Sequence, residues 1–161
     1  MNGYPKLFKP TLILTFSLLF ITGLLLLPSF AQFKLEWDFD WLYESPFNLI
    51  SQGGFRQIST FLHALSGWTM LGFLGAIWSI HMRNHWRKKE NSMNGIWFVL
   101  SWAFLFISAL GIYYLGDATL SHTSSIIHTL LGLVMPLLLI QHIVLGRRTV
   151  NKRSARSANE T

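Results

Sequence analysis

The sequence has no cysteine. That excludes disulfides, iron–sulfur clusters, thiolate metal sites and covalent haem attachment through thioethers. Histidine is left as the obvious metal ligand, and there are six. Charge is also scarce, at 12% of 161 residues against 51% hydrophobic. A chain this apolar is not an ordinary soluble domain. It also has no flavin or nicotinamide motif, so a redox role would make it a subunit rather than a stand-alone enzyme.

What is present is apolar sequence gathered into four runs. Each approaches or exceeds the roughly 20 residues that a membrane helix needs. The pattern predicts an all-α integral membrane protein, a four-transmembrane-helix bundle forming one membrane domain over residues 1–161.

The first run spans about 11–30 and ends at Pro28, with Gly23 as a close-packing point. A basic head, an apolar run and Ser29-Phe30-Ala31 also fit a signal peptide with its cleavage site. The run is long for that, and we read it as the first helix. An outer segment, 31–59, follows. Within it Phe33, Leu35, Trp37, Phe39 and Trp41 alternate with Lys34, Glu36, Asp38 and Asp40. This period of two predicts a strand-like stretch over 33–41. It suits either an aromatic belt at the membrane surface or a docking strand for a partner subunit. The second helix is expected over about 60–82 and a basic loop over 83–94. The third helix is expected over about 95–115, the fourth over about 122–146, and a tail over 147–161, disordered beyond Lys152.

The basic residues predict orientation. The head, the basic loop and the tail hold eleven of the thirteen Lys and Arg, and the other two connections hold five of the seven acids. Both termini and the basic loop are therefore expected in the cytoplasm (N-in/C-in). The net charge of +6 is then topological. Its expected contact is anionic lipid and not nucleic acid.

Ionisable side chains at membrane depth are costly and mark function. His128 and His142 lie fourteen residues apart in the fourth run. At about 100° per residue they share one face, near opposite ends. His63 and His81, eighteen apart in the second run, complete about five whole turns and share a face too. These two helices run in the same direction, which predicts two stacked bis-histidine sites. His63 and His128 form the outer one; His81 and His142 form the inner one. Their separations differ, about 27 Å on the second helix and about 21 Å on the fourth. His85, one turn from His81, is the alternative inner ligand. His122 is about 200° away from His142 and points elsewhere.

Gly67 follows His63 and Gly132 follows His128 by four residues. A glycine one turn beyond a ligand leaves clearance for a flat macrocycle, which a bare ion does not need. Haem b fits, in two copies or in one if the inner site is empty. Bis-histidine ligation leaves iron no open position and suits electron transfer. Each ligand needs an acceptor for its second ring nitrogen. Ser59, Ser124, Ser125 and carbonyls one turn back are candidates. Arg56 is placed to meet outer propionates, and Arg83, Arg87, Arg147 and Arg148 inner ones, although arginines flank membrane spans of every kind.

Thr22-Gly23, His63-x-x-x-Gly67 with His81 and Asn84-His85-Trp86, Ser108 to Gly111, and His128-x-x-x-Gly132 with His142 occur in that order. In this ordered set the chain resembles the small four-helix bacterial cytochromes b, close to the cytochrome b561-like group and its DUF4405-like relatives. The resemblance covers about two thirds of the chain. It implies two b-type haems held by the second and fourth helices, and electron exchange with quinol or a partner protein. One departure stands out. Aligning the two H-x-x-x-G motifs puts Ile77 where the fourth helix has His142.

The expected function is a di-haem cytochrome b subunit relaying electrons between the quinone pool and an outer redox partner, docked on 33–41. Two alternatives stay open: a cofactor-free structural or assembly subunit, and a histidine-lined metal or proton conductor.

Overall fold

The computed structural model describes residues 5–36, 53–79 and 92–159. Among these the chain is all helix: α1 (Phe8–Lys34), α2 (Gly53–Ile77), α3 (Ser92–Tyr114) and α4 (Ala118–Asn159). Each is long and apolar enough to cross a membrane. The chain is thus a multi-pass membrane protein of the all-α class. It divides into two compact units, 1–84 and 85–161, each built on an antiparallel helical hairpin.

In the first unit, Phe8 meets Phe73 edge-on at 5.2 Å, and the Arg56 guanidinium sits 5.3 Å over the Phe33 ring. Those contacts fix the two ends of the α1–α2 pair. Between them Thr15, Thr22 and Ser29 of α1 are buried, as are Ser59, Ser66 and Met70 of α2. The seven-residue spacing on α1 makes a seam of small hydroxyl side chains. Large side chains such as Leu14, Ile21, Phe61 and Trp68 face outward. Lipid supplies no hydrophobic drive between helices, so small residues that let backbones approach take the contact.

In the second unit larger side chains share the contact: Trp102, Leu105 and Met135 are buried together with Ser108 and Ser125. Its turn is short. Asp117 Oδ1 accepts a hydrogen bond from Leu120 N at 2.8 Å and caps α4. Ser121 Oγ donates to Ile112 O across the hairpin at 3.0 Å. A side-chain methyl at Gly111 would collide with Ser124 (its Cβ is 2.9 Å away), so glycine there sets how closely α3 and α4 approach.

Several boundaries differ from expectation. The first helix does not end at Pro28; it runs through it to Lys34, and the last bond is Leu35 N to Ala31 O at 3.2 Å. Inside lipid every backbone group must be satisfied within the helix, which outweighs the one bond that proline removes. The strand-like stretch is therefore helix at Phe33 and Lys34, and only Glu36, at φ 53°, turns the chain away. Residues 37–41 lie outside the described residues.

α2 starts at Gly53 instead of Thr60, since Arg56 and Gln57 are polar but do not break a helix. It closes as α-helix at Ile77 with a wider turn at 78–79, and His81 and His85 lie outside the described residues. α3 begins at Ser92. The tail expected to be disordered beyond Lys152 is helical to Asn159, with no glycine or proline after Gly146 to stop it.

Candidate functional site

His63 is the eleventh residue of α2 and His128 the eleventh of α4. Each points into the seam of its own hairpin. His63 Nδ1 lies 3.0 Å from Leu19 O and 3.2 Å from Thr22 Oγ1. His128 Nδ1 lies 3.0 Å from Leu105 O and 3.2 Å from Ser108 Oγ. The two arrangements are the same down to a tenth of an ångström.

A carbonyl oxygen only accepts. Nδ1 must therefore carry the proton and donate it, and in the neutral ring the lone pair then sits on Nε2. The hydroxyls are oriented as well. Thr22 Oγ1 donates to Leu18 O at 2.7 Å or Leu19 O at 3.1 Å, and Ser108 Oγ donates to Leu105 O at 2.9 Å. Each hydroxyl thus spends its proton on its own helix and turns its oxygen lone pairs to the imidazole. This is the arrangement found behind metal-ligating histidines, where a held Nδ1–H fixes tautomer and ring orientation.

These acceptors sit on the preceding helix. The expected acceptors, Ser59, Ser124 and Ser125, share a helix with the histidines and serve packing: Ser59 and Ser125 are buried, and Ser124 abuts Gly111. The signal for the true partners lay in an internal match. Leu19-Phe20-Ile21-Thr22-Gly23-Leu24 aligns with Leu105-Phe106-Ile107-Ser108-Ala109-Leu110. Setting His63 on His128 likewise sets Ser59 on Ser124, Gly67 on Gly132 and Met70 on Met135. Met70 and Met135 are buried at 6% and 2% exposure, the same place in each hairpin.

The glycines differ in their surroundings. A methyl at Gly23 would stand 3.1 Å from His63 Cε1, so glycine there makes room for the ring. Among the described residues a methyl at Gly67 would meet only Leu19 Cδ1, at 3.9 Å, and one at Gly132 nothing within 4 Å. Gly72, Gly75 and Gly146 are equally open, so the space one turn beyond each histidine is not particular to those two glycines.

His142 is half-buried and stacks on Phe98 of its own hairpin, with ring centroids 4.8 Å apart and planes 13° apart. His122 is half-buried in the second turn of α4. Arg56, two turns before His63, has its guanidinium on Phe33. No three His, Cys, Asp or Glu side chains gather as ligands for a bare ion among the described residues.

No protein-family model matches this chain, and neither a curated protein nor a solved structure matches it.

Proposed function

We propose that the protein is a cytochrome b subunit of the bacterial inner membrane, both termini cytoplasmic, in which His63 and His128 are the axial ligands of one haem b. A second haem, bound by His142 with His81 or His85, completes a transmembrane relay between quinol and a redox partner on the outer side. The reading follows the family resemblance. The observation that carries it is the matched Nδ1–H anchoring of His63 and His128. Two imidazoles prepared alike, in two hairpins of like sequence, suit a pair of equivalent ligands.

Bound haem would supply one-electron exchange at an iron with no open position. The chain's residues do the rest. Leu19 O and Leu105 O hold the ring protons, Gly67 and Gly132 leave the helix faces low, and the apolar spans exclude water. Residues 33–41 are the proposed docking stretch, and the basic residues near the termini meet anionic lipid.

The same bonds favour a second reading. A histidine bonded across two helices also serves as a polar tie in a cofactor-free structural subunit. An absorption spectrum of the protein, purified in detergent from haem-replete cells, separates the two. Reduced b-type bands are expected. His63→Ala and His128→Ala should each abolish the same band, and a quinol analogue should reduce the wild type. Absence of haem bands from the wild type would overturn the cytochrome reading.

A further inference from the structure

α4 is longer than a membrane is thick. Its 42 residues form one helix, about 63 Å long at a 1.5 Å rise. A bilayer with its headgroups measures about 40–45 Å, and a typical tilt of about 20° shortens the helix by only a few ångströms. The surplus lies at one end. α4 starts just after Tyr113 and Tyr114, which close α3 at 68% and 79% exposure, as aromatic side chains do at a membrane surface. At the far end of the hairpin Trp97 of α3 is 64% exposed, and its neighbour Phe98 stacks on His142. His142 therefore lies at the level of a second aromatic belt, and the helix runs on from there to Asn159.

That last stretch carries Arg147, Arg148, Lys152, Arg153 and Arg156, and α4 contains no acid. Measured from His142 along the helix, Arg148 stands about 9 Å further out, Lys152 about 15 Å and Arg156 about 21 Å. Headgroups fill roughly 5–7 Å of that distance. Arg147 and Arg148, both exposed, thus keep the lipid contact proposed above. The helix positions of Lys152 and Arg156 lie about one Debye length or more past the headgroups, where the charge of the membrane is screened. Fixing topology does not account for this extension, because the positive-inside rule counts charges and asks for no helix.

We propose that the end of α4, 149–159, is a rigid basic arm that stands off the membrane and docks an acidic protein surface. Charge complementarity selects this partner. The cationic positions 148, 152 and 156 recur every four residues, about 6 Å apart along the axis. A row of carboxylates at that interval, as on an acidic helix, matches them. Within α4 the same spacing sets like charges at i and i+4, which weakens a helix. Carboxylates alongside remove that repulsion, so docking and stiffness of the arm rise together. Residues 147–159 include no aromatic side chain on which bases could stack, which disfavours single-stranded nucleic acid. The proposal does not rest on haem, and a protein without haem leaves it standing.

The full chain has no native cysteine, so Ser154→Cys takes a single spin label in lipid nanodiscs. The probes are poly-L-glutamate, a DNA duplex at equal charge, and phosphatidylglycerol replacing phosphatidylcholine in the disc. The label should stay open to a water-soluble nickel relaxant in both lipids. Poly-L-glutamate should slow its motion, less so at high salt, and should bind more tightly than the duplex. Arg153→Gln with Arg156→Gln should weaken poly-L-glutamate by about 5-fold, the scale of two exposed ion pairs. Arg147→Gln with Arg148→Gln removes the same charge and should weaken it less. A label drawn out of water by phosphatidylglycerol would overturn the proposal in favour of lipid, and tighter binding of the duplex would overturn it in favour of nucleic acid. No response to poly-L-glutamate, or equal losses in the two double variants, would overturn it outright. The label on otherwise wild-type protein decides the first three outcomes whether or not the variants fold.

Discussion

The α1–α2 and α3–α4 hairpins are alike at one level and unlike at the other. Around His63 and His128 they share the carbonyl, the hydroxyl, the following glycine and the buried methionine. Fourteen residues further on, α4 has His142 against Phe98, whereas the aligned positions of the first hairpin are Ile77 and Leu12. Shared features mark a requirement that each hairpin meets within itself. Divergent ones mark what a single hairpin does alone, or does with a residue from elsewhere. On the proposed reading the first level is a symmetric ligand pair. The second level is asymmetric: α4 carries His142 where α2 carries Ile77.

The largest effect should come from testing that asymmetry. His142→Ala should remove one b-type band and leave the His63–His128 band intact. His81→Ala should remove the same band as His142→Ala if His81 is the partner. Adding Ile77→His to the His81→Ala protein restores the fourteen-residue spacing of α4 and should bring that band back. Haem per chain and the reduced spectrum check this. A reduced spectrum that loses no band in either His142→Ala or His81→Ala would leave a single-haem protein.

A smaller effect should separate the hairpins by packing. Gly111→Ala drives a methyl against Ser124 Cβ at 2.9 Å, where backbone and side chain must both move. Overpacking of this kind costs about 1–3 kcal/mol, less the gain of about 1 kcal/mol from replacing a helical glycine. Gly23→Ala meets His63 Cε1 at 3.1 Å, and a ring edge can give by a few tenths of an ångström. Thermal melts in detergent should therefore put Gly111→Ala below Gly23→Ala. Only Gly23→Ala should disturb the environment of His63. Equal melting temperatures would mean that the close approach at Gly111 does not hold α3 to α4.

How much of this the sequence could reveal depends on range. The four spans, the shared face of His128 and His142, and the glycine after each histidine follow from periodicity within one helix, and composition alone gives the membrane class. The α1 boundary was misjudged at Pro28 because proline is a local signal, while satisfying backbone groups in lipid is a demand of the whole span. At Phe33 and Lys34 the alternation suggested a strand where α1 continues, for a similar reason: it registers side-chain pattern and not the carbonyls of the turn before it. The partners of His63 and His128 were missed because they depend on register between two helices. For His63 that register goes with the buried Thr15, Thr22 and Ser29 of α1 and Ser59 and Ser66 of α2, which no single-helix reading contains.

The smallest effect should appear at the helix starts, where the two hairpins again differ. α4 begins under the Asp117 carboxylate, which takes the Leu120 N–H at 2.8 Å and places negative charge at the positive end of the helix. α2 instead begins at Gly53 with φ +65°, a conformation that glycine adopts without strain, and its first turn is tied down by Arg56 on Phe33. Asp117→Ala should therefore cost about 1 kcal/mol, the usual loss for a side-chain cap. Asp117→Asn should keep most of it, because the amide oxygen still accepts the bond. Arg56→Gln should cost at most about 1 kcal/mol, the scale of an exposed cation–π contact. Melting curves of the three variants check the ranking. If Asp117→Asn falls as far as Asp117→Ala, the charge and not the hydrogen bond holds the start of α4, and raising the salt concentration should then erase the difference from wild type.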